Sequence, residues 1–145
     1  MKKLLSMLVV SAISISANAN NWVNLGITID DTTQFEIDTD SVKQYRTNQD
    51  PNGVYFSAFV KHIYLKGNYL NAGYKFSQQF YVVDCQQNRY TQTAYIAYGL
   101  NNEVKKSHQS EYITPENIHI AFPGTMVEQI VLAVCSHSVA VSQSS

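Results

Sequence analysis

At 145 residues the chain has room for one compact domain and little else. Hydrophobic residues make up 45% and charged residues only 14%, which excludes a disordered tail or a polyelectrolyte. A formal net charge of -1 and a pI near 6.4 exclude a sequence-independent nucleic-acid binder, which needs a basic face.

The chain opens with a leader. Lys2 and Lys3 supply a charged start, Leu4 to Ile15 an apolar run interrupted only by serines, and Ala17-Asn18-Ala19 a small-x-small cleavage site. Residues 1–19 therefore read as a secretory signal peptide and 20–145 as a single mature domain. The apolar run is shorter than the ~20 residues that span a bilayer, so no membrane span is expected. No cysteine stands near the cleavage point, so no lipid anchor is expected either. The expected location is outside the cytoplasm, periplasmic or secreted. In that oxidising setting the two cysteines, Cys85 and Cys135, are expected to form one disulfide; a buried reduced pair or half of a metal site are the alternatives.

Ten tyrosines favour pleated strands, and period-two alternation with turn punctuation divides the mature chain. Trp22 to Ile29 and Thr33 to Asp38 read as the first two strands, with Asp30-Asp31 turning between them. Asp38-Thr39-Asp40-Ser41 offers helix N-cap residues, so Val42 to Tyr45 is expected to make one short helical turn. Asp50-Pro51-Asn52-Gly53 is a strong turn signal, since Pro51 presets φ and Gly53 accepts a positive one.

Val54 to Lys66 reads as a central strand, with Phe56, Ala58, Val60 and His62 sharing one face. A loop around Gly67, Asn71 and Gly73 leads to a strand from Tyr74 to Asp84. Arg89 to Tyr98 alternates as Tyr90, Gln92, Ala94, Ile96 and Tyr98 against Arg89, Thr91, Thr93, Tyr95 and Ala97. A weaker strand runs from Glu103 to about Tyr112. Short connections favour antiparallel pairing of neighbours, so the sheet is expected to be a meander.

One helix follows. Pro123-Gly124 halts the preceding segment, and Thr125 with Glu128 matches a capping box. Val127, Ile130, Val131 and Val134 then share one face at helical spacing, beside Cys135. A Cys85–Cys135 bridge would staple that face to the sheet. The serine-rich tail from Ser136 to Ser145 is expected to fray. The fold class is thus α+β: an antiparallel β-sheet of about six strands with one C-terminal helix packed on it.

Catalytic constellations do not assemble. His62, His108, His119 and His137 lie on separate elements without metal-ligand spacing, and His62 reads as a hydrogen-bonded core or rim histidine. His119 alternates with Ile118 and Ile120 and is expected to face solvent. The early aspartates, Asp30, Asp31, Asp38, Asp40 and Asp50, lack the EF-hand pattern and suit turns and caps. No serine elbow and no phosphate-cradling glycine loop are present. Catalytic residues, cofactor ligands and metal ligands are therefore all expected to be none. Lys105-Lys106-Ser107-His108 is the one basic cluster; it reads as a solvated strand edge that discourages sheet-to-sheet pairing, the alternative being contact with an acidic partner or a sulfated sugar. The tyrosines divide between sheet packing and an interaction surface.

Three segments carry a family likeness: TQFEIDTDSVKQ with its aromatic-x-x-Asp-x-x-Ser core, FYVVDCQQNRY with a strand ending in Asp-Cys, and PGTMVEQIVLAVC, a Pro-Gly-capped helix ending in cysteine. With Trp22 just after the leader, their order resembles the surface-adhesin protein E family of Gram-negative bacteria. The resemblance implies an antiparallel sheet with a C-terminal helix packed on it. It also implies structural roles for Asp84, Cys85 and Cys135, and for Asp38 and Ser41 in the turn after the second strand. For function it implies a non-enzymatic exported binding protein that recognises host matrix or envelope proteins. The partner would be a protein or glycan met outside the cytoplasm, and an unpaired sheet edge leaves room for a homodimer. The alternative is a periplasmic inhibitor or envelope-maintenance protein acting on a lytic enzyme. An enzyme would need His62 in a cleft beside an aspartate or a tyrosine.

Overall fold

The computed structural model describes residues 20–110, 113 and 117–142. Among these, eight strands form one sheet: β1 (Trp22–Ile27), β2 (Thr33–Asp38), β3 (Lys43–Thr47), β4 (Asp50–Tyr64), β5 (Tyr74–Asp84), β6 (Arg89–Gly99), β7 (Val104–Gln109) and β8 (His119–Ile120). A one-turn helix α1 (Asn68–Asn71) lies between β4 and β5, and α2 (Met126–Ser142) closes the chain. The six strands read from the sequence are all present, in the order β1-β2-β4-β5-β6-β7, every pair antiparallel. The leader at residues 1–19 and Tyr112 lie outside the described residues.

The two further strands are short. β3 pairs with the first half of β4, while β2 pairs with its second half along the same edge. Ser41 joins the two ladders: its Oγ donates to the Asp38 carbonyl (2.6 Å) and accepts from the Phe59 backbone N–H (2.9 Å). That N–H falls between the β3-paired and β2-paired stretches, and the serine supplies its missing acceptor. Asp38 caps the 3₁₀ turn that follows it, Thr39–Ser41, by accepting from Asp40 N–H (3.2 Å). The structural roles inferred for Asp38 and Ser41 therefore have a physical basis.

Two local expectations are corrected. Val42 is extended and Lys43–Thr47 is a strand, because the cap residues are consumed by the 3₁₀ turn and the chain is then recruited by the β4 edge. Asp50-Pro51-Asn52-Gly53 is not the reversal; Asn48 and Gln49 turn the chain, and Pro51 lies in a bulge. Tyr45 opposes Tyr55 while Thr47 opposes Asp50, so β4 carries three more residues than β3 there. Proline without an N–H suits a bulge. The Tyr55 hydroxyl donates to Asp50 (2.7 Å) across it, and Gly53 is needed because a Cβ would strike both the Tyr55 ring and the Asp50 carboxylate.

α2 lies on one face of the sheet. Ile130, Val131 and Val134 pack with Phe35, Ile37, Ala58, Val60, Tyr81 and Val83, all at most 9% exposed. Thr125 accepts from Glu128 N–H (3.3 Å), but Glu128 reaches the Gly124 N–H (2.8 Å) rather than that of Thr125, so half of the expected capping box forms. The helix continues to Ser142, which corrects the expected fraying from Ser136. Ser138 is buried, and its hydroxyl donates to the Cys135 carbonyl (2.7 Å), so serines here back-bond to the helix instead of ending it.

Cys85 and Cys135 are joined by a disulfide, with Cα atoms 5.7 Å apart. The bridge ties the end of β5 to the middle of α2. Beside it, Asp84 closes the β5–β6 turn: Oδ1 accepts from Gln86 and Gln87 N–H (3.0 and 3.1 Å) and Oδ2 from Arg89 (2.7 Å).

Candidate functional site: a tyrosine cleft beside the helix

α2 packs over β1, β2, the first half of β4 and the last part of β5, and the rest of that sheet face stays open. Along β4 the side chains on this face run Phe56, Ala58, Val60, His62 and Tyr64, from the helix-covered core to the open end. The open end is a cleft of about 340 Å³ walled by Tyr64, Tyr69, Tyr74 and Tyr95. Tyr64 and Tyr69 stack with ring centroids 4.8 Å apart, and Tyr74 meets Tyr69 edge-on at 6.4 Å. Such a volume is at the small end of small-molecule sites, about 300–1,000 Å³.

Bulges aim two of these tyrosines. Phe80 opposes Ala94 but Tyr81 opposes Gln92, so Thr93 is the extra residue. Beyond it the facing of β6 inverts, and Tyr95 and Ala97 join Tyr90 and Gln92 on the helix-bearing face. Strict alternation had placed Tyr95 opposite Gln92; the bulge overturns that. A second irregularity, between Tyr74 and Phe76, brings Tyr74 onto the same face.

The floor is a polar relay crossing three strands. Tyr64 OH and Ser77 Oγ are 3.0 Å apart, and Gln79 Nε2 donates to Ser77 Oγ (3.1 Å). Gln79 Nε2 also reaches His62 Nδ1 (2.9 Å), His62 Nε2 reaches Tyr81 OH (3.2 Å), and Gln92 Nε2 donates to Tyr81 OH. With an amide nitrogen facing Nδ1, that ring atom accepts, and the imidazole proton sits on Nε2, directed at Tyr81. Burial pushes the His62 pKa down to about 4, so the ring is neutral near pH 7. Burial likewise raises the Tyr81 and Tyr64 hydroxyls above the ordinary tyrosine range. His62 is thus the hydrogen-bonded rim histidine expected from the sequence, at the boundary between dry core and cleft, with Phe35 packed on its ring at 4.4 Å. Its neighbours at hydrogen-bond distance are Tyr81 and Gln79.

Of the other histidines, His108 on the exposed strand β7 and His119 on β8, beside the Tyr90 ring, line one shallow surface cleft, while His137 is exposed on α2. Among the described residues, no three His, Cys, Asp or Glu side chains converge as a metal site. Asp30, Asp38 and Asp50 serve a turn, a cap and the bulge.

The basic cluster forms an exposed sheet edge and also borders the cleft. β7 is exposed along its length, and Lys106 pairs with Ala97 in register and lines the cleft. Hydrogen bonding to Tyr95 raises the Lys106 pKa, which keeps the ammonium charged. Lys105 Nζ lies 4.9 Å from the Tyr74 ring centroid and donates to the Ala72 carbonyl (3.1 Å). No carboxylate is among the residues lining the cleft. The sequence signal for this site was present as tyrosine excess plus Lys105-Lys106, but only pairing register shows that they meet.

Residues 22–136 match the family model described as surface-adhesin protein E. The chain belongs to the surface-adhesin protein E family. No curated protein and no solved structure gives a significant match. The surface-adhesin protein E match spans all eight strands, both cysteines and the first part of α2, so it covers the entire cleft. Membership supports an adhesin-like role outside the cytoplasm, directed at external partners. No helix among the described residues is long and apolar enough to cross a membrane.

Proposed function

We propose that this chain is a non-enzymatic exported binding protein whose recognition surface is the tyrosine cleft with the β7 edge beside it. The observation that carries the reading is the cleft itself: four tyrosines, two amides and a charged lysine converge on the half of the sheet face that α2 leaves open. Tyrosine offers large amphipathic contact area at low entropy cost, and partly exposed rings in a concave site suit binding. The polar floor supports a binding role over a catalytic one. Both His62 nitrogens are engaged and the ring has a pKa near 4, which makes it a poor base at neutral pH. Ser77 is bonded to Tyr64 and Gln79, so no nucleophile–base pair stands in the cleft.

The partners in view are host matrix proteins or envelope proteins. The test is binding of purified extracellular-matrix proteins and of envelope extracts to the immobilised mature chain, beside a Tyr69→Ala/Lys106→Ala variant. Saturable capture that the double variant loses supports the reading. Capture of nothing, or equal capture by both proteins, overturns it. Inhibition of lysozymes or proteases without such capture would replace it with an inhibitor's role.

A further inference from the structure

The chemistry of the cleft narrows what can occupy it. A cationic ligand, the usual guest of an aromatic cage, would meet Lys106 and find no carboxylate among the lining residues. A wholly apolar ligand would bury Gln79 and Gln92 amide oxygens without partners, which is costly. Each glutamine uses its amide nitrogen on the floor, Gln79 toward His62 and Ser77 and Gln92 toward Tyr81. Their oxygens are left as acceptors at the cleft.

A pyranose ring satisfies this arrangement. Its C–H face is apolar and packs on tyrosine rings, while its equatorial hydroxyls donate to amide oxygens and accept from tyrosine hydroxyls. A carboxylate on that ring is the group that would use Lys106, held charged at the rim beside Tyr95. We infer that the cleft binds a carboxylated saccharide, its ring against the tyrosine walls, its hydroxyls on Gln79 and Gln92, and its carboxylate on Lys106.

The inference rests on the reading of the chain as an exported binding protein and adds the ligand class. Carboxylated sugars reach such a protein from two sources, host uronic and sialic acids or bacterial muramic acid. Calorimetric titration of the mature chain with three matched pairs separates them: glucuronic acid against glucose, N-acetylneuraminic acid against its methyl ester, and N-acetylmuramic acid against N-acetylglucosamine. At least one acid should bind about tenfold more tightly than its neutral partner, and that preference should fall as salt is raised. Lys106→Ala should erase the preference, while Lys106→Arg keeps it. Tyr69→Ala, at a residue 62% exposed and so not needed for folding, should weaken both members of a pair. Absence of saccharide binding, equal binding of acid and neutral partner, or a Lys106→Ala variant that keeps the preference would each overturn the inference. Matrix-protein capture is read separately. Capture retained while every sugar fails overturns the ligand class alone, and loss of capture with sugar binding intact overturns the protein partner alone.

Discussion

Acid should loosen this fold through His62 before most of its carboxylates are protonated. The unfolded imidazole titrates near 6.5 and the folded one near 4, because burial under the cleft disfavours the charged ring. The unfolded chain therefore binds the proton first, and stability from the neutral ring is complete above pH 6.5 and lost as pH falls toward 4. The full shift corresponds to about 3 kcal/mol, and the part lost between pH 8 and pH 5 is about 2 kcal/mol. Protonation also places a donor at Nδ1 against the donating Gln79 amide, so the relay that floors the cleft breaks at the same step. The assay is urea unfolding at pH 8 and pH 5 on the native chain and on His62→Gln. The native chain should lose about 2 kcal/mol more than the variant over that interval. Parallel pH dependence in the two proteins, or a folded His62 that titrates near 6.5 by NMR, would refute the reasoning.

Two other perturbations probe the frame around the cleft. Cys85→Ser with Cys135→Ser opens a loop with sequence separation 50, and should cost about 4 kcal/mol by chain entropy, seen as a lower urea midpoint; an unchanged midpoint would show that the bridge does not hold α2 down. Ser41→Ala leaves the Phe59 N–H without its side-chain acceptor and should cost about 1 kcal/mol, with faster amide exchange at Phe59; unaltered exchange there would contradict its place between the two ladders.

Strands with clean alternation were legible from residue order. Thr33–Asp38 and Tyr74–Asp84 have the bounds that their patterns indicate, because each buries one face against a large partner. β3 was hidden because KQYRT is polar and half exposed, and only the free edge of β4 makes it a strand. The Asp-Pro-Asn-Gly signal was real turn chemistry, spent on a bulge one step past the reversal. The site was less visible than the fold. Tyrosine excess marked its composition, but the extra residue Thr93, which turns Tyr95 into the cleft, depends on the pairing of β5 with β6 and leaves no local trace. Lys105 and Lys106 looked like edge protection because their aromatic neighbours, Tyr74 and Tyr95, are distant along the chain.

Ligand contacts should gather on one face of the sheet. Two-dimensional NMR of the tyrosine rings, during titration with the tightest-binding carboxylated saccharide, reads this directly. Tyr64, Tyr69, Tyr74 and Tyr95 should shift in a saturable way, while Tyr45 and Tyr55, packed with Val82 on the opposite face, should stay in place. Shifts confined to Tyr45 and Tyr55, or no shifts in the four cleft tyrosines, would contradict it.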